Sequence, residues 1–227
     1  MLRAILFDFD GVIADSEPAH FRAFQAVMAE ETLPLIEETY YSRYLGLDDR
    51  ACLRAMLRDA GRTISDEALE TLFRRKSERY LQGLREEAPL RPGAADFIPR
   101  AASRCPLMIA SGALRSEIEL VLAGADLRAC FVDIVSAEDV KNCKPHPEPF
   151  LTALSRLNDR LAPSPFSQPG ECLVIEDALH GIAAAHGAGM KCLAVAGSCP
   201  AYRLGAADAV AQTLEALPLE RIEGMFG

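Results

Sequence analysis

The sequence contains no C-x-x-C pair, and its seven cysteines (Cys52, Cys105, Cys130, Cys143, Cys172, Cys192 and Cys199) are scattered and odd in number. Neither a disulfide framework nor a zinc site follows from such spacing. Reduced, mostly buried thiols of a cytosolic protein are expected instead. No uninterrupted apolar run reaches the roughly 18 residues of a membrane span. Positive charge is in deficit, 24 Lys and Arg against 33 Asp and Glu, for a formal net charge of -9. That balance argues against a nucleic-acid backbone or an anionic membrane as a general partner. It leaves room for a small anionic substrate at a locally positive site. Internal repeats and low-complexity segments are absent. The first strand begins at once and leaves no room for a signal peptide, so a cytoplasmic location is expected.

Half of the 227 residues are hydrophobic, enough for a sizeable core in one large domain or two smaller ones. The stretch Leu2 to Glu17 (LRAILFDFDGVIADSE) organises the rest. Ala4, Ile5, Leu6 and Phe7 read as a short, fully buried strand of a parallel sheet. The run stops in Asp8-Phe9-Asp10-Gly11. Two carboxylates at the carboxyl end of a buried strand are electrostatically expensive and stay ionised only with a partner. Gly11 permits a sharp turn or positive φ. Asp8 and Asp10 are therefore read as a site that needs a cation. The alternative is an ordinary turn with solvated Asp residues.

Ser16 can cap a helix with Pro18 in its first turn, and Phe21, Phe24, Val27 and Met28 recur at helical spacing. Short helices are predicted over 39–45 and 51–60 and a longer one over 65–85, with no strand among them. Lys76 falls on the apolar stripe of the last helix. It either snorkels or reaches into a cleft between domains. A breaker-rich linker, residues 88–93, follows. Strands are then predicted over 106–111, 131–136, 171–176 and 191–196, with a last short edge strand at 208–211. Helices are predicted over 114–123, ended by Gly124, and over 149–157 and 179–187, and a surface loop over 162–170. Residues 94–104 are ambiguous because Pro99 must kink a helix or lie near its start. Alternating strands and helices imply a parallel sheet with helices on both faces. The expected architecture is a Rossmann-like α/β core of residues 1–15 and 88–227, carrying an inserted all-helical cap of residues 16–87.

Four strand ends turn polar where apolar character stops: Asp8 and Asp10, Ser111 with Gly112, Lys144 with Pro145, and Glu176 with Asp177. Parallel strands put these ends on one edge. Taken singly, Ser111 is a possible helix cap, Lys144 a solvated loop lysine, and Glu176-Asp177 a capping pair. Taken together they suggest phosphoryl transfer. Clustered carboxylates need a divalent cation, and oxygen-only ligands without clustered His or Cys indicate Mg²⁺. Lys144 adds positive charge, and Ser111 can donate to a phosphoryl oxygen. One carboxylate can then attack phosphorus while another handles a proton.

The segments DFDGVIADSE, IASGA, KPHPEPF and VIEDALHGIAAAHGAG resemble, in order and spacing, the four motifs of the haloacid-dehalogenase-like superfamily. The resemblance covers essentially the whole chain. It is closest to the branch with a helical cap after the first motif, which includes β-phosphoglucomutase and many small-molecule phosphatases. It implies Asp8 as nucleophile and Asp10 as general acid/base. Mg²⁺ would be held by Asp8, the Asp10 main-chain carbonyl and Asp177, with Glu176 as ligand or behind the ligands. Ser111 and Lys144 would grip the phosphoryl group. Dehalogenases of the superfamily lack the second aspartate, so Asp10 weighs against dehalogenation. Gly112, His20, Gly46, Arg50 and Lys76 are the expected substrate-binding residues. His20 stands where phosphatases and mutases both carry a histidine, unless it is only a structural neighbour of Phe21. Lys76 resembles a cap lysine of β-phosphoglucomutase, but the second cap lysine of that enzyme is here Leu45. The expected activity is therefore hydrolysis of a small phosphorylated metabolite, a sugar phosphate or similar. A sugar phosphomutase is the alternative, and a catalytically silent binding protein the third reading. A monomer or weak homodimer is expected.

Overall fold

A computed structural model describes residues 1–45, 47–86, 89–162 and 167–227. Among them six strands, β1 (Ala4–Phe7), β2 (Leu107–Ala110), β3 (Phe131–Val135), β4 (Cys172–Glu176), β5 (Lys191–Val195) and β6 (Ala209–Ala211), form one sheet. The order is β3-β2-β1-β4-β5-β6, with every pairing parallel. β1, β2 and β4 are buried along their whole length, which is why they read as unbroken apolar runs. Phe7 lies opposite both Ile109 and Ile175, so the three central strands end at one level. The order reverses between β1 and β4, the place where open α/β sheets form their ligand crevice.

The chain divides into two compact units, Met1–Asp15 with Ala88–Gly227, and Ser16–Glu87. Gly46, the linker residue Ala88 and part of the predicted 162–170 loop lie outside the described residues. The Ser16–Glu87 unit is helical: α1 (Glu17–Glu30), α2 (Glu37–Arg43), α3 (Asp49–Asp59) and α4 (Asp66–Glu86). Its core joins Phe21, Phe24 and Val27 of α1 to Leu53 and Met56 of α3 and Leu69 and Leu72 of α4. Asp48 caps α3 by accepting from the Ala51 N–H at 2.9 Å. Ser16 does occupy the N-cap of α1, but its side chain makes no cap bond, because its backbone is already helical (φ -77°, ψ -19°).

In the sheet unit, helices cover both faces. Phe150 and Leu157 of α7 (Glu148–Leu161) and Ile182 of α8 (Leu179–Gly187) pack with Leu6, Met108 and Val174. Phe7, pointing the other way, meets Phe97 of α5 (Ala94–Ala102) edge-on at 6.2 Å. Pro99 therefore lies inside a real helix, past its first turn. The helix before β3, α6 (Arg115–Gly124), includes Gly124 instead of ending before it. The reversal falls on Asp126, at φ 57°. A short helix α9 (Leu219–Glu223) gave no clear periodic signal in five residues. Of the cysteines only Cys52, Cys172 and Cys192 are buried; Cys143 is exposed, and all seven are free.

Candidate active site

The Asp8 N–H donates to the Ile175 carbonyl at 2.9 Å, so the β1–β4 ladder runs one residue past the strand. The chain then turns tightly: Ile13 and Ala14 donate to the Phe9 carbonyl, and Gly11 donates to that of Ala14. Gly11 takes φ 78°, and a Cβ there would collide with the Asp177 carboxylate and the Ser198 hydroxyl. Glycine is required at this position for both reasons.

Lys144 reaches the same point from the loop before α7. Its Nζ lies 2.5 Å from Asp8 Oδ1 and 2.8 Å from Glu176 Oε1, and the side chain is only 6% exposed. It is thus no solvated loop lysine. Burial works against its charge, but Asp8 and Glu176 outweigh burial and raise its pKa. The other Glu176 oxygen accepts from the Asp177 N–H at 2.8 Å and the Ala178 N–H at 3.0 Å. A Cβ at Gly181 would strike this carboxylate, so the glycine of α8 makes room for it. Asp177 Oδ2 accepts from both the N–H (2.8 Å) and the hydroxyl (2.5 Å) of Ser198.

Asp8, Glu176 and Asp177 are all buried and offer oxygens within 4.8 Å of one another. Burial raises the pKa of Asp8 well above the usual range. Lys144 opposes the shift, and the charges of Glu176, Asp177 and Asp10 add to it. Burial likewise raises Asp177. The site thus brings together three of the four expected carboxylates. Asp10, less buried at the turn, acts on Asp8 through its charge. Ser111 is buried at the end of β2, its hydroxyl oxygen accepting from the Ala113 N–H at 3.1 Å. Open space lies where a Cβ of Gly112 would stand. The donor set fits a hard divalent cation, since three buried carboxylates cluster with a single ammonium bridging two of them and no sulfur or imidazole among them.

Of the expected substrate-binding residues of the helical unit, the described ones, His20, Arg50 and Lys76, are engaged within it. Lys76 is fully buried and does not snorkel. Its Nζ lies 2.6 Å from Asp49 Oδ2 and 2.6 Å from His20 Nδ1, over the rings of Phe24 and Tyr80. His20 is stacked on Tyr80 with centroids 3.9 Å apart, a partner that its neighbour Phe21 does not disclose. Arg50 pairs with both oxygens of Glu70 and lies over the Phe73 ring.

Burial, and then the Lys76 ammonium, lower the His20 pKa well below 6.5. A depressed base takes its proton first in the unfolded chain, so stability falls as pH drops below 6.5. We expect a loss of about 1 kcal/mol from this group near pH 5.5. Thermal midpoints of wild type and His20→Gln at pH 7.5 and 5.5 check it. The wild-type midpoint should fall several degrees further, and parallel slopes would show that His20 carries no such coupling.

Sequence reasoning missed Ser198. Its signal is the same change from apolar to polar at a strand end, since the apolar run of β5 ends in Ala196-Gly197-Ser198.

A family model described as haloacid dehalogenase-like hydrolase matches residues 2–189. The chain is 30% identical over 190 residues to a phosphorylated carbohydrates phosphatase of Thermotoga maritima, covering 84% of this chain and 83% of that protein. Among solved structures it is similar to β-phosphoglucomutase from Clostridium difficile (TM-score 0.81, 25% identity, 100% and 97% of the two chains). It is also similar to CbbY from Rhodobacter sphaeroides in complex with xylulose-(1,5)bisphosphate (TM-score 0.79, 27% identity, 96% of each chain).

Proposed function

The chain belongs to the haloacid dehalogenase-like hydrolase family, and on that premise we propose that it is a Mg²⁺-dependent phosphatase of small sugar phosphates, working through an aspartyl-phosphate on Asp8. The observation that carries this reading is the Lys144 ammonium bridging Asp8 and Glu176, with Asp177 beside them. With all three carboxylates ionised and only one ammonium among them, the cluster keeps an excess negative charge. A divalent cation offsets that excess.

An Asp8 oxygen attacks phosphorus, and the bond from phosphorus to the leaving oxygen breaks. Asp10 gives its proton to that oxygen, releasing the alcohol. The Asp10 carboxylate then takes a proton from water as the water attacks phosphorus. The Asp8–phosphorus bond breaks, and inorganic phosphate leaves. Ser111 and Lys144 bind the phosphoryl oxygens, whose charge is spread in the transition state. Asp8, Asp177 and the Asp10 main-chain carbonyl would hold Mg²⁺. Glu176 supports the site from behind, since both its oxygens already serve Lys144 and the 177–178 backbone. When bound, Mg²⁺ supplies Lewis-acid charge for the phosphoryl oxygens. A part for Gly112 in substrate binding, where a Cβ would meet open space, belongs to the same proposal.

Sugar phosphates are favoured as substrates because the Thermotoga relative is named for phosphorylated carbohydrates and the CbbY structure holds a sugar bisphosphate. Phosphate release with Mg²⁺ across a panel of sugar phosphates tests the reading, with hexose 1- and 6-phosphates followed by phosphorus NMR. One or more esters should release stoichiometric phosphate. Interconversion of the hexose phosphates without release would establish the mutase instead. An absence of turnover on every ester would overturn the enzymatic assignment.

A further inference from the structure

The loop after β5 carries a side chain that the mechanism above does not use. Ser198 is exposed, so it fills no core. Yet it places both its N–H (2.8 Å) and its hydroxyl (2.5 Å) on a single oxygen, Oδ2 of Asp177. Oδ1 accepts no hydrogen bond from any described residue. The loop that delivers Ser198 is held on two sides. The Ala196 N–H donates to the Ala211 carbonyl at 2.9 Å, and Arg91 Nη2 donates to the Ala196 carbonyl at 3.2 Å. Two glycines allow the approach. A Cβ at Gly197 would fall 2.5 Å from the Gly11 carbonyl oxygen and 2.8 Å from Asp177 Oδ2. A Cβ at Gly11 would strike Oδ2 and the Ser198 hydroxyl. Three neighbours on two strand-end loops thus build a niche around one carboxylate oxygen.

We propose that Ser198 is a positioning residue that occupies Asp177 Oδ2, reserves Oδ1 for the cation, and so makes Asp177 a one-oxygen ligand that favours Mg²⁺ over Ca²⁺. The inference rests on the metal-dependent reading of the site. Mg²⁺ demands near-octahedral single-oxygen ligands, whereas Ca²⁺ readily takes both oxygens of a carboxylate. Holding one oxygen away from the ion therefore penalises the bidentate arrangement. Outer partners of this kind also fix ligand orientation, and their removal typically weakens metal binding 10- to 100-fold.

The test is calorimetric titration of the metal-free protein, without substrate, using MgCl₂ and CaCl₂ on wild type and Ser198→Ala. The variant should bind Mg²⁺ about tenfold more weakly. Its Ca²⁺ affinity should stay within about threefold of wild type or tighten, because the freed oxygen becomes a second ligand atom. Unchanged Mg²⁺ affinity would overturn the proposal. So would an equal loss for both ions, which marks a general distortion of the loop. Wild-type protein that binds no Mg²⁺ would sink the metal-dependent reading itself and this inference with it. That outcome is distinct from wild type and variant binding alike.

Discussion

Asp8→Asn is expected to remove turnover, by at least about 10³-fold in kcat, while the protein still folds. A nucleophile acts as one unit with the groups around it, so its loss costs nearly the whole covalent pathway; what survives comes from binding and charge stabilisation alone. The substitution is close to isosteric and suits the surroundings. Burial already raises the pKa of Asp8, which means that its charged form is held at a cost in the metal-free protein. For an acid with a raised folded pKa, the folded state binds the proton more tightly. Stability is then lost as pH rises from about 3.8 through the folded value. A neutral amide escapes that loss at neutral pH, although Lys144 keeps only Glu176 as a charged partner. Steady-state kinetics on the best substrate, with circular dichroism of both proteins, provides the check. Near wild-type turnover in a well-folded Asp8→Asn protein would remove Asp8 from the nucleophile role.

Lys144→Met is expected to produce the largest loss of stability of any single change at the site. It leaves Asp8 and Glu176 facing each other without the ammonium that holds them, and the Glu176 side chain is only 1% exposed. Breaking a buried ion pair by removing one partner costs about 3–5 kcal/mol. In a chain of this length that lowers the thermal midpoint by roughly 6–20 °C. The cost is electrostatic and should shrink when the carboxylates are neutralised. Adding Glu176→Gln to Lys144→Met is therefore expected to recover part of the midpoint, and the double-mutant cycle measures the coupling. Lys144→Met should also lose phosphatase activity, because the same ammonium is proposed to bind the phosphoryl group. A midpoint within 2 °C of wild type would show that the bridge contributes little, in the manner of a surface pair.

These two expectations draw on information of different kinds. Asp8 was legible in the sequence: four apolar residues without a breaker make a buried strand, and a carboxylate placed just past them has little other reason to be there. The same local logic found Ser111, Glu176 and Asp177, and the β-α alternation indicated a parallel sheet. Strand burial is written in consecutive residues, and strand ends are where the chain must change character. Lys144 showed its chemistry in the sequence but not its partners. It lies 136 residues from Asp8 and 32 from Glu176. Only the order β2-β1-β4 brings those strand ends together beneath one loop.

The helical unit shows the limit more sharply. Periodicity put Lys76 on the apolar stripe of α4, where it was expected either to snorkel or to reach into a cleft, and nothing local showed that its ammonium would be buried. The decision came from Asp49 and His20, supplied by two other helices, because a buried ammonium is tolerable only where acceptors arrive from elsewhere in the fold. Ser198 is the same case in the sheet unit. A serine after a strand is ordinary, and its hold on Asp177 exists because β5 lies beside β4 and because Gly11 and Gly197 carry no side chain to keep the loops apart. The sequence by itself thus determined the strands, most of the helices and which residues carry charge to the sheet edge, since these follow from neighbours along the chain; α5 and α9 were not among them. Which charges meet was decided by the tertiary structure, since electrostatic and hydrogen-bond energies depend on distances that only strand order and close packing set.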